Sequence, residues 1–236
     1  MNYSKNAKYF RRLPKVPPKI AVGTIVLMII LFAIKPIIPI SLIALLVVAV
    51  ALFYMGAPND AEIDKQAEAM LADIKKRAFV KLGVDEDEIA LAKPLEFWGY
   101  NFSNVLTDDA NKSAWNVCGK DGRWRSSEVT IGGFYFSEHV VHYYYRTASL
   151  VSDASIEGTE EYFYKDIVSV KTETSDLPFA NPKTGVEDAK KRVRYESFVL
   201  RNSGGESTSC WVRDAAMAES AVNAFRALLK QRKLAQ

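Results

Sequence analysis

The residues best equipped for chemistry cluster in "NKSAWNVCGKDGRWRSS" (111–127), where Lys112, Lys120, Arg123 and Arg125 alternate with Trp115 and Trp124. Ammonium and guanidinium groups close on phosphate through charge-assisted hydrogen bonds, and tryptophan suits a boundary between wet and apolar surroundings. Such a cluster is chemically able to meet an anionic group. Asp108, Asp109 and Asp121 dilute that charge, and Asp121-Gly122 is a standard turn, so the same stretch also reads as a solvated hairpin. A second basic run, Lys190, Lys191, Arg192 and Arg194, carries the same two readings.

Other reactive side chains are sparse. His139 and His142 are the only histidines; three apart on a strand, they point to opposite faces. Cys118 and Cys210 lie far apart without CxxC or metal-ligand spacing. A single disulfide would require an oxidising compartment. No GxSxG is present, and "SGGES" (203–207) lacks the lysine and spacing of a phosphate loop. The sequence thus predicts a protein without catalytic residues, metal or cofactor.

The elements that would position these groups are unevenly apolar. From Ile20 to Met55 the chain carries one charge, Lys35. As a single helix the run would be about 54 Å long, more than one bilayer span needs. Pro36 disfavours helix at Lys35, and Pro39 suits a first helical turn. The pattern predicts a transmembrane hairpin with spans 20–34 and 37–55, its tip at Lys35 and Pro36, with a shallow hairpin or one kinked span as alternatives. Six cations precede it in "KNAKYFRRLPKVPPK", which places the amino terminus (1–19), and hence the rest of the chain, on the cytoplasmic side with both cysteines reduced. Seven of the 31 basic residues fall before residue 56, where there is no Asp or Glu, so beyond it 24 basic face 28 acidic residues, a net of −4. That balance argues against nucleic acid as a partner.

After the run, 56–93 reads as a linker and an amphipathic helix. Ile63, Ala67, Met70, Leu71, Ile74, Ala78 and Leu82 recur at three and four, and Gly83 ends the helix. This stripe packs on its own domain or serves self-association, with Ile63, Ala67, Met70, Leu71 and Ile74 as the association face. Short β segments follow at 94–102, 125–136, 139–151, 160–174, 193–200 and 207–212, with a glycine turn in "RNSGGE". A helix over 214–233 closes the chain, capped by Asp214. A strand run of this length favours a curled sheet or small barrel with the helix over its open mouth.

The phrases "FYFSEHVVHYYY", "EEYFYKDIVSV" and "AMAESAVNAFRALLKQRK" resemble the pleckstrin-homology-like (PH-like) domains of bacterial membrane proteins, over roughly 94–233. The resemblance implies a membrane-anchored α+β protein whose PH-like β-barrel spans 94–236 and sits at the bacterial inner membrane. It also implies a binding module rather than an enzyme, and makes Lys120, Arg123 and Arg125 the counterparts of lipid-gripping loop residues. The expected function is a membrane scaffold, adaptor or regulatory subunit that binds the bilayer and a protein partner or copies of itself. An oligomeric transport or channel component and an anionic-lipid sensor are the alternatives.

Overall fold

A computed structural model of the chain describes residues 1–10, 43, 46, 48, 55–89, 91–103, 106, 115–180 and 187–234. They fall into two units, Asn2–Asn59 and a second that begins at Asp60. In the first, helix α1 (Tyr3–Phe10) buries Asn6 and Phe10, and Lys8 Nζ donates to the Met55 carbonyl at 3.2 Å.

The second unit opens with helix α2 (Asp60–Glu68), a 3₁₀ turn (Ala69–Asp73) and helix α3 (Ile74–Leu82). Gly83 stops α3 in the left-handed region at φ 67°, its N–H donating to the Phe79 carbonyl at 2.9 Å, where only glycine avoids a Cβ penalty.

Among the described residues, nine strands follow in three antiparallel sheets. β1 (Leu95–Asn101), β4 (Glu128–Phe136), β5 (Val140–Ser149) and β6 (Ser155–Phe163) form the first, in the order β1-β4-β5-β6. A hairpin of β2 (Asn116–Cys118) and β3 (Trp124–Ser126) is inserted between β1 and β4. β7 (Ile167–Ala180), β8 (Glu187–Asn202) and β9 (Ser207–Val212) form the third sheet, in that order. Helix α4 (Ala215–Leu234) ends the chain, and Asp214 Oδ1 accepts from the N–H groups of Ala216 and Met217 as its cap.

Alternation along the strands sets the layers. Phe97, Phe134 and Tyr143 of the first sheet meet Val170, Phe198 and Cys210 of the third, and Phe225 of α4 completes this core. The Phe134 ring stacks on Tyr143 at 4.4 Å and lies 4.8 Å from Phe198. Every residue of β4 is buried, because its other face is covered as well. There Tyr135 meets Phe79 of α3 edge to face at 5.6 Å, and the helical stripe is buried at Ile63, Ala67, Ile74 and Ala78. Two glycines permit the close approach of the sheets. A Cβ on Gly99 would lie 2.6 Å from the Trp211 backbone, and one on Gly132 would lie 2.7 Å from Cys210 Sγ.

Three sequence expectations are corrected. The strands do not close into a barrel: a backbone bond from Arg213 N to the Trp98 carbonyl at 2.8 Å joins β9 to β1 without a ladder, and a 3₁₀ turn (Tyr164–Asp166) separates β6 from β7. Closure needs continuous strand pairing around the ring. The membrane-anchored architecture is overturned as well, since among the described residues no helix is long and apolar enough to cross a membrane. The longest, α4, carries Glu219, Arg226, Lys230, Arg232 and Lys233. The expected spans 20–34 and 37–55, with Lys35 and Pro36, lie outside the described residues except for Ile43, Leu46, Val48 and Met55. The inner-membrane location, and the cytoplasmic placement that followed from the hairpin, fall with that finding.

Candidate functional site

Helix α4 is held unequally on its two flanks. Arg226 and Lys233, seven residues apart on one face, reach the edge of β7: Arg226 Nε donates to the Val170 carbonyl at 2.9 Å and Lys233 Nζ to the Ile167 carbonyl at 2.7 Å. A register shift between Ile167 and Ser169 interrupts the β7–β8 pairing at this point. A bulge of this kind re-aims the local backbone and leaves edge groups in need of partners.

On the other flank Met217, Ser220, Ala224 and Leu228, spaced three and four apart, stand off from the start of β1. The gap is a groove of about 420 Å³, also lined by Pro94, Leu95 and Phe97. Its floor reaches the core at Phe136 and Phe225, whose rings are 5.0 Å apart. Met217 is 54% exposed over the opening. Small residues at Ala221 and Ala224 make the space, and a flexible thioether at the lip adapts to what enters it. Lys93 and Glu96 are on the rim, with the Tyr135 hydroxyl donating to Glu96 Oε1 at 3.3 Å. A concave apolar surface with few polar groups suits binding of an apolar segment.

The candidate anion contacts do not act together. Arg125, only 1% exposed, turns inward beneath α2. Its Nε and Nη2 donate to the two Asp64 oxygens at 2.8 and 2.7 Å, and its Nη1 and Nη2 to the two Asp121 oxygens at 2.9 and 2.8 Å. Asp64 also accepts from Arg213 Nη2 at 2.7 Å and the Tyr100 hydroxyl at 2.6 Å. Burial by itself would raise the Asp64 carboxyl, but the bonds from Arg125 and Tyr100 and the Arg213 charge outweigh it and hold the group below the usual carboxylate range. The Arg125 hydrogen bond likewise lowers Asp121. Burial raises Tyr100, and its bond to Asp64 adds to the rise. The network ties α2 to β1, β3 and the end of β9, so Arg125 is a structural tie.

Lys120 and Arg123 are exposed on the β2–β3 turn. The Lys120 backbone N–H donates to Asp60 Oδ2 at 2.8 Å, and that of Arg123 to Asp121 Oδ1 at 3.0 Å. Lys112 lies outside the described residues. Of the association stripe, Ile63, Ala67 and Ile74 are buried, while Met70 and Leu71 are half-buried in the 3₁₀ turn. His142 is buried with Nδ1 3.0 Å from Glu161 Oε1, and His139 is exposed. Cys210 is buried and Cys118 half-buried. Among the described residues no group of three or more His, Cys, Asp or Glu is placed to hold a metal ion.

Sequence reasoning missed the groove, although the Met217-Ala221-Ala224-Leu228 spacing signalled a helix face of mixed size. Compared with known proteins, the chain matches no family model, no curated protein and no solved structure.

Proposed function

We propose that this chain is a non-enzymatic, PH-like binding module that holds a protein partner by an apolar segment seated between α4 and β1. The observation that carries the reading is the asymmetry of α4: two charge-assisted bonds pin it to β7, while the opposite flank is left open over core aromatics. Antiparallel strands followed by a C-terminal helix are what the PH-like resemblance implies, and the order of elements is consistent with that. The groove accommodates roughly three aliphatic side chains, enough for the central anchors of a peptide interface. Lys93 on the rim favours a partner with a carboxylate beside those anchors.

Selection of peptides from a displayed library on the full chain tests the reading. Peptides with spaced apolar anchors are expected, and Ala224→Trp, which fills the groove from an exposed helical position, is expected to weaken them about a hundredfold. Equal affinity for the filled variant removes the groove from the function. Sedimentation of the unmodified chain checks the self-assembly form of the reading: a dimer split by Ala224→Trp makes the partner a second copy.

A further inference from the structure

We infer that the β7-facing flank of α4 is a docking surface for a short acidic segment of a partner polypeptide, separate from the apolar groove. Across 164–168 and 219–234 the chain places five cations, Lys165, Arg226, Lys230, Arg232 and Lys233, against the two carboxylates of Asp166 and Glu219. Arg226, Lys230 and Lys233 fall at intervals of four and three, so they share one helix face. The bonds to the Ile167 and Val170 carbonyls fix that face against β7.

Favourable placement at a helix C-terminus suits the cations in the last turn, and Arg226, two turns earlier, is held by the Val170 carbonyl. Arg232 adds a guanidinium beside Tyr164, its Nε buried without a hydrogen-bond partner among the described residues. Carboxylate oxygens take charge-assisted hydrogen bonds from guanidinium and ammonium groups of this kind. The ligand is a short one. Arg226 to Lys233 spans only about 10 Å along the helix, a length that about three residues of extended strand cover. The net of −4 beyond residue 55 repels a long polyanion such as nucleic acid.

The test is fluorescence anisotropy of the full chain with a labelled nonapeptide alternating Glu and Gly, beside its Gln–Gly counterpart. Neither probe carries an apolar side chain, so the groove is not read. The Glu probe is expected to bind and the Gln probe not to, with affinity falling about tenfold between 50 and 200 mM salt. Lys165→Glu with Lys230→Glu is expected to abolish binding without changing the melting temperature, because neither side chain bonds the fold's backbone. Arg232→Lys, which keeps the charge and loses the fork, is expected to weaken binding about threefold to tenfold. Ala224→Trp is expected to leave it unchanged. Equal behaviour of the two probes, unaltered binding after the double charge reversal, or tighter binding of a single-stranded oligonucleotide than of the Glu probe would overturn the proposal.

Discussion

Replacing Asp64 by alanine strands a guanidinium that is 1% exposed. Arg125 keeps its two bonds to Asp121 but loses the acceptors of Nε and of one Nη2 bond, while Arg213 and the Tyr100 hydroxyl lose their shared partner. Removing one side of a buried pair costs about 3–5 kcal/mol, because the other charge is left uncompensated. Asp121→Ala is the control. Its carboxylate is 39% exposed, and Arg125 retains both Asp64 oxygens, so the loss is about 1 kcal/mol. For a unit of this size each kcal/mol moves the melting temperature by about 2–4 °C, so the two variants are expected to fall by roughly 6–20 °C and roughly 2–4 °C. Urea titration followed by tryptophan fluorescence gives the free energies, with Trp98 reporting locally through its stacking on Arg213. Asp64→Ala combined with Arg125→Met is expected to recover part of the loss, since an apolar side chain replaces the stranded charge. An Asp64→Ala cost no greater than that of Asp121→Ala would refute the reasoning.

The same network sets a pH dependence. Asp64 and Asp121 are held below their unfolded value of about 3.9, so their stabilisation is complete above that pH and is lost as pH falls through the folded values. Melting curves from pH 6 to pH 2 are expected to be steeper below pH 4 for the unmodified chain than for Asp64→Asn. Gly99→Ala forces a Cβ against the Trp211 backbone and is expected to cost about 1–3 kcal/mol in urea titration, although alanine suits a strand no worse than glycine. Burial pushes the Cys210 thiol up to about 12, so iodoacetamide is expected to label Cys118 in the native protein and Cys210 only on unfolding, as read by peptide mass spectrometry.

Strand existence was legible where apolar residues alternate between turn residues. The expected segments at 94–102, 139–151 and 207–212 overlie β1, β5 and β9. Pairing was not. The expected strand at 125–136 is divided at Ser127, because Trp124–Ser126 pairs with β2 while Glu128–Phe136 pairs with β1 and β5. β6 begins at Ser155, five residues before the expected segment, since its polar "SIEGT" start lies on a sheet edge where alternation carries little signal. Barrel closure was equally invisible, because alternation assigns faces and says nothing of whether the last ladder forms.

The candidate site fared similarly for a physical reason. Arg125 stands in a basic run, and local spacing pointed to an anion from outside. Its acceptor Asp64 lies 61 residues upstream and reaches it only when α2 packs on the sheet. Arg226 and Lys233, by contrast, share a helix face by spacing alone, but their acceptors on β7 are brought to them only by the fold. The apolar run at 20–55 spoke for a membrane, yet no described helix meets the length and apolarity that a bilayer demands.

Hydrogen–deuterium exchange of the full chain, with and without a peptide selected on it, tests the groove reading most directly. Protection confined to 92–97 and 217–228 is the expected result. Protection elsewhere with those two segments unchanged would contradict it.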